Sequence, residues 1–438
     1  MYREITDKLI HWKEDKRRKP LLVTGVRQCG KTYIINEFGV KYFDDILKIN
    51  FESQPGLAEV FDYDLDPIRI TNELELLTKN KIVPGKTLLF FDEIQECPKA
   101  ITSLKYFCED FKELHLIGAG SLLGVALNNS ALSFPVGKVN RMQLYPMNFR
   151  EFLVAVGEKE TLEFLKGWSV KRSIPEQIKD KMERLLKTYY IVGGMPDAVK
   201  VWTETNSFDE VEQVQNEILM DYSNDFAKHA PISEVPKIRW IWDSIPVQLS
   251  KENRKFIFSH VKEGKRWQEL EDGLQWLKNA GLIYQLELVD NPEIPLASCA
   301  NKTYFKVYMC DIGLLRARAK VTPDAILSGN NQFIRFKGAL CENYVYQELT
   351  AQGKVPFFWR SGNTAELDFM YEDKGGIVPL EVKSADNSQA KSYKLFCEKY
   401  NPKFGFKITM KNIAENMCVN TRTVNLPLYM VWDIDDYA

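Results

Sequence analysis

The sequence is short of the features that mark several function classes. It has eight cysteines in 438 residues, at positions 29, 97, 108, 299, 310, 341, 397 and 418, and no two form a Cys-x-x-Cys pair or stand near a histidine at metal-ligand spacing. A structural zinc site and a disulfide framework are therefore not expected. Charge of one sign is missing too: 58 Lys and Arg against 60 Asp and Glu leave a formal net charge of −2. No global basic field draws the chain to nucleic acid or anionic lipid, so any such contact must come from a local patch. Nowhere do about 18 apolar residues run on uninterrupted, and the stretch from Met1 to Asp7 is charged, with no apolar segment of signal-peptide length. These absences predict a cytoplasmic protein with no membrane contact. A content of 45% hydrophobic and 27% charged residues is that of a globular chain. Its length implies about three or four domains at roughly 100–200 residues each.

What is present begins with Leu21-Leu22-Val23-Thr24, an apolar strand running directly into Gly25-Val26-Arg27-Gln28-Cys29-Gly30-Lys31-Thr32 and then into a helical pattern. Two glycines at this spacing let successive backbone N–H groups of residues 25–32 converge on one anion, and the following helix adds its positive end. The pattern is a phosphate-binding loop for a nucleotide, with Lys31 on the outer phosphates and the Thr32 hydroxyl on Mg²⁺. Cys29 reads either as a small side chain the loop tolerates or as an oxidisable thiol at a helix N-terminus. Further on, Thr87-Leu88-Leu89-Phe90-Phe91-Asp92-Glu93 reads as a strand buried on both faces that ends in two carboxylates. Asp92 is expected on the Mg²⁺ ion and Glu93 as the base for the attacking water. A third apolar strand, Leu114 to Gly118, stops at Ser121, which is expected at the terminal phosphate. Strands, loop and acidic pair in this order predict an open α/β sheet with its ligand at the carboxyl ends.

Gly25 to Thr32, Leu89 to Gln95 and the segment Leu144-Tyr145-Pro146-Met147-Asn148-Phe149-Arg150-Glu151-Phe152 together resemble a prokaryotic family of AAA-type ATPases. The resemblance implies an ATPase core at residues 1–155 and a helical lid at 156–228, where the pattern is helical apart from a Gly193-Gly194-Met195-Pro196 turn. The family's Gly-Arg pair before the proline is replaced by Gly137-Lys138, with Arg141 three residues on. Lysine lacks the planar fork of arginine, so Arg141 is the better candidate for a phosphate contact and Lys138 the poorer. With no convincing arginine in the core, a homo-oligomer whose neighbour supplies one is expected.

Residues 229–322 read as a winged-helix connector. Leu270, Leu274 and Leu277 line a helix closed by Gly281, and residues 282–289 pair with 303–309 as the wing. Lys262, Lys265 and Arg266 are its favourable cations for DNA, set against Glu269, Glu271 and Asp272, which leaves a protein-contacting role and a DNA-binding role both open. Residues 323–438 resemble the PD-(D/E)XK nuclease pattern through Glu342, Asp368 and Glu381-Val382-Lys383. The tripeptide alone says little, since Glu-x-Lys also occurs at 14–16, 263–265 and 372–374. A hairpin centred between Lys374 and Gly375, however, puts Asp368 opposite Glu381 with Lys383 on the same face. Facing carboxylates repel unless a cation such as Mg²⁺ or Mn²⁺ lies between them. The expectation is a metal site of Glu342, Asp368 and Glu381, with Lys383 catalytic on DNA or RNA. Two alternatives stand beside it: the same fold in an ATP-dependent switch that cuts nothing, and a solvated hairpin.

Overall fold

The computed structural model describes residues 1–127, 135–251, 255–328, 334–362, 365–383 and 390–438. It divides into two compact units, one of Met1–Pro146 with Trp276–Leu282, the other of Met147–Gln275 with Ile283–Ala438. No helix among the described residues is long and apolar enough to cross a membrane.

In the first unit the elements run α1 (Ile5–Glu14), β1 (Leu21–Thr24), α2 (Lys31–Tyr42), β2 (Asp45–Asn50), α3 (Pro67–Thr78), β3 (Thr87–Asp92), α4 (Pro98–Asp110), β4 (His115–Ala119), the short α5 (Leu123–Ala126) and β5 (Asn140–Gln143). The five strands form one sheet in the order β2-β3-β4-β1-β5, parallel throughout. Composition sorts the strands by position. β3 and β4 are buried at every residue, as strands covered on both faces must be, whereas β2 and β5 alternate between covered and more open positions and take the edges. The core packs Leu22, Leu47, Ile49, Leu89, Phe91 and Leu116 with the inner faces of the helices. Because every strand points the same way, the ends of β1, β3 and β4 lie side by side, as the motif order implied.

The second unit carries α6 (Phe149–Ala155), α7 (Lys159–Leu165), α8 (Glu176–Val192), α9 (Pro196–Thr205), α10 (Phe208–His229), α11 (Val235–Leu249) and the start of α12 (Trp267–Asn279). It continues with β6 (Ile283–Val289), β7 (Ala300–Met309), α13 (Ile312–Arg318), α14 (Pro323–Leu327), α15 (Ile334–Ala351), β8 (Phe357–Ser361), β9 (Ala365–Asp373), β10 (Gly376–Val382), α16 (Lys391–Tyr400) and β11 to β13 (Phe404–Thr409, Ala414–Cys418 and Thr421–Pro427). Its eight strands form one sheet in the order β12-β13-β11-β10-β9-β8-β6-β7. Within it, α15 precedes an antiparallel β8-β9-β10 meander, and α16 then leads to β11, parallel to β10. The expected helix of Leu270, Leu274 and Leu277 is α12, with those residues buried and Gly281 at φ +74° beyond its end. The expected wing is the antiparallel β6-β7 pair, but it is no free hairpin, since β6 also pairs with β8 through Leu288 and Phe358.

Two buried polar features organise this unit. At the Gly193-Gly194 turn, a Cβ on Gly194 would lie 1.9 Å from the Met147 carbonyl oxygen, and the Gly194 N–H donates to Asp311 Oδ2 at 2.6 Å. Asp311 also caps α13 by accepting from Leu314 N at 2.9 Å, and complete burial raises its pKa to about 6. The second feature is α15, whose Glu342, Asn343, Gln347 and Glu348 are all buried. Asn343 bonds the Met309 N–H and carbonyl, Gln347 takes the Ile312 N–H and donates to the Tyr189 hydroxyl, and Glu348 takes the Phe149 N–H at 2.8 Å. Phe149 itself begins α6, held by a reciprocal cap between Asn148 and Glu151. The recurrent segment around Pro146 is therefore a helix start.

Candidate active site

The loop between β1 and α2 has the conformation its glycines predict. A Cβ on Gly25 would stand 2.3 Å from the Leu144 carbonyl oxygen, and Gly30, at φ +92°, forms the N-cap of α2. Gln28 is also left-handed, at φ +63°. Arg27 is half-buried, whereas Cys29 is fully buried with its thiol donating to the Leu144 carbonyl, so the oxidisable-site reading fails on access. Lys31 is buried, with Nζ donating to the Gly25 and Val26 carbonyls at 2.9 Å each, so its ammonium lies folded against the loop.

Across the loop, β3 delivers Asp92 and Glu93. Thr32 Oγ1 donates to Asp92 Oδ1 at 3.0 Å, which brings the two expected Mg²⁺ partners together. Glu93 sits in the left-handed region at φ +49°, just beyond β3, and its Oε2 accepts from Gln95 Nε2 at 2.7 Å and from the Ser121 N–H and hydroxyl at 3.3 and 3.4 Å. Ser121, two residues past β4, is thus linked directly to Glu93. Arg141, on β5 in register with Leu22, borders a cavity of about 510 Å³ that Gly25, Ser121 and Lys278 also line, all within the first unit. Lys138 belongs elsewhere. It precedes β5 at the amino-terminal edge of the sheet and is paired with Glu109 at 2.7 Å.

Several contributors escaped sequence reasoning. Arg3, buried, donates to the Cys29 and Tyr145 carbonyls at 2.8 and 2.6 Å and so anchors the underside of the loop. Lys48 and Asn50 on β2 both reach Asp92 Oδ2, at 2.9 and 3.1 Å. Gln95 stood inside a recognised motif without a role. Only its place two residues after the acidic pair hinted at one.

In the second unit, the hairpin turn falls at Lys374 and Gly375, both at positive φ. The register runs from Gly376–Asp373 to Leu380–Phe369, and its continuation by one step would set Asp368 opposite Glu381. Asp368 Oδ2 accepts from Val382 N at 2.8 Å, and Lys383 Nζ lies 2.6 Å from Glu381 Oε1. Glu381 is itself buried, and its Oε2 has no hydrogen-bond partner among the described residues. Burial foremost, then Asp368, raises its pKa to about 8 against the opposing pull of Lys383. Glu342, the expected third ligand, is buried on α15. Its Oε2 accepts from the Tyr308 hydroxyl at 2.8 Å and lies 3.5 Å from the buried Lys306 ammonium, which also pairs with Glu366 at 2.6 Å. Among the described residues, no three His, Cys, Asp or Glu side chains converge as a metal site. The favourable cations near α12 are also engaged, Lys265 with Glu269 at 2.5 Å and Lys262 over the Trp240 ring.

Residues 17–153 match the family model described as AAA domain. Residues 183–325 and 337–431 match two described as Domain of unknown function, DUF8612 and DUF4143. No curated protein matches the chain. Among solved structures, a Walker-type ATPase of Pyrococcus abyssi is similar at 14% identity and a TM-score of 0.45, over 72% of this chain and 94% of that one. The ORC2 protein of Aeropyrum pernix is similar at 11% identity and 0.36, over 75% and 95%. A point variant of the RuvB protein of Thermotoga maritima is similar at 16% and 0.30, over 66% and 89%. The parallel sheet and the loop with its acidic strand end lie within residues 17–153, the stretch that matches the AAA domain model.

Proposed function

We propose that this protein is an ATPase whose hydrolytic site is built from Lys31, Thr32, Asp92, Glu93 and Ser121. The observation that carries the reading is the convergence of the Gly25–Thr32 loop with Asp92, Glu93 and Ser121 at the carboxyl ends of three adjacent parallel strands. Lys31 turns from the loop carbonyls to the outer phosphates of ATP. The hard oxygens of Thr32 and Asp92, in mutual contact, suit Mg²⁺, which when bound neutralises phosphate charge. Glu93 takes the proton of the attacking water, and the contacts from Gln95 and Ser121 hold its carboxylate in place. Arg141 is a candidate for the terminal phosphate in cis, beside a cation from a neighbouring copy. Isothermal titration with ATP and a phosphate-release assay test the reading, with Lys31→Ala as the variant expected to lose both signals. Full turnover in that variant would refute it.

For the remainder we propose a helical lid, a winged-helix connector and a C-terminal PD-(D/E)XK-like domain. The helix, three-strand meander, helix and parallel strand from α15 to β11 favour that last assignment, as does the Asp368–Glu381–Lys383 set. One observation favours the switch reading, in which nothing is cleaved: the buried Lys306 ammonium, 3.5 Å from Glu342 and 2.6 Å from Glu366, already places a cation beside the expected third ligand. Metal-dependent cleavage of labelled DNA or RNA separates the two.

A further inference from the structure

We propose that Lys48 is a resident counter-ion of Asp92 that competes with Mg²⁺ and so limits how far the metal tightens nucleotide binding. The inference rests on the ATP reading above. β2 runs beside β3 with Lys48 in register with Phe90 and Asn50 with Asp92, so two side chains on one face of β2 both reach the strand end. Asp92 Oδ2 accepts from Asn50 Nδ2 at 3.1 Å and lies 2.9 Å from Lys48 Nζ, while Thr32 Oγ1 reaches Oδ1 at 3.0 Å and Oδ2 at 3.2 Å. The carboxylate is 4% exposed, so nearly all its acceptor capacity is already committed within the protein. Asn50 and Thr32 are neutral donors that tolerate a cation nearby. Lys48 is not.

A dication drawn to Asp92, directly or through a water molecule, meets an ammonium on the same carboxylate. Either the two positive charges repel across a few ångströms or Lys48 withdraws and its ion pair is lost. Withdrawal is feasible because the lysine side chain is 34% exposed and its ammonium can rehydrate. The cost falls on the metal-bound state in both cases. The metal-free nucleotide state keeps the pair, because the phosphates are held by the loop and Lys31. Lys48 therefore acts as a positioning residue with a defined signature, a reduced ratio of nucleotide affinity in Mg²⁺ to that in EDTA.

The test is a binding cycle on the full chain with a fluorescent, non-hydrolysable ATP analogue, measured in Mg²⁺ and in EDTA. Lys48→Met keeps the side-chain length over the Phe90 ring without the charge, Lys48→Gln keeps a hydrogen-bond donor, and Lys48→Arg keeps the charge. The affinity ratio should rise about tenfold in the Met and Gln variants, a charge-pair effect discounted for the exposure of the lysine, and stay near the wild-type value in the Arg variant. Circular dichroism confirms that each variant is folded, and either neutral variant suffices. An unchanged or lower ratio in a folded neutral variant overturns the proposal while leaving the ATPase reading intact. A wild-type protein that binds the analogue in neither condition overturns the ATPase reading and this proposal with it.

Discussion

Replacing Glu93 by glutamine should leave ATP bound and nearly stop its hydrolysis. The substitution preserves shape, and Gln95 Nε2 at 2.7 Å and the two Ser121 donors keep an oxygen acceptor at the position of Oε2. The glutamine amide cannot take a proton from water, so the loss is confined to the transition state. General-base catalysis by a positioned side chain is worth about 10²- to 10⁴-fold, which corresponds to roughly 3–5 kcal/mol on the barrier. Binding should move by less than about half a kcal/mol, since no group facing the phosphates changes. Isothermal titration reads the first quantity and a phosphate-release assay the second. Turnover within about tenfold of wild type would refute the role of Glu93, because a loss that small is below what removal of a general base produces. A parallel loss of binding would show instead that the tether to Gln95 and Ser121 shapes the nucleotide pocket.

Turnover per molecule should rise with protein concentration if a neighbouring copy supplies the missing cation. A flat dilution series from a protein that stays monomeric by light scattering, with activity lost in Arg141→Ala, would assign that role in cis. In the second unit, Asp368→Ala or Glu381→Ala should abolish whatever Mn²⁺ binding calorimetry detects while ATP hydrolysis persists, and a Mn²⁺ isotherm unchanged by either variant would dismiss the pair as ligands. The buried Asp311 gives a pH signature. Its pKa is about 6 in the fold against a reference of 3.8, so the native state holds the extra proton between these values. Stability from this group is complete below about pH 4 and is lost as pH rises through 6, by up to about 3 kcal/mol. The stability of wild type relative to Asp311→Asn, from thermal melts between pH 4 and 7, should therefore grow as pH falls, and a constant difference would contradict the burial argument.

The nucleotide site was legible because its parts are local. A strand, a glycine-spaced loop and a helix start are contiguous, and an apolar strand ending in Asp92-Glu93 announces its own position. The order of strands was not legible, yet burial explains it afterwards, since β3 and β4, buried at every residue, can only be interior. The β9-β10 register could be read because one two-residue turn fixes it. Lys306 could not, since its partners Glu342 and Glu366 are reached only through tertiary folding and nothing in Phe305-Lys306-Val307 marks a buried cation. The glycines at 193 and 194 suggested a tight turn, but their cause, the Asp311 carboxylate and the Met147 carbonyl, lies far along the chain in both directions. α15 misleads pattern reading most. Glu342, Asn343, Gln347 and Glu348 look like a solvent face, whereas backbone and side-chain groups of other elements occupy them.

That helix also sets a timetable. Glu348 accepts the N–H of Phe149 across 199 residues and Gln347 meets Tyr189 across 158, so α6 and α8 are made long before their buried partners exist. At a synthesis rate of about 5–20 residues per second, the Phe149 amide waits on the order of 10–40 seconds for its acceptor to be translated. During that interval the first unit has nearly its whole chain and can close around its sheet, while α6 and α8 lack the buried partners that α15 brings. A nascent chain stalled before residue 348 would then be a chaperone client or a protease substrate, and release from that state would wait for α15 and for residues 428–431, which α15 and the residue that follows it bond in turn.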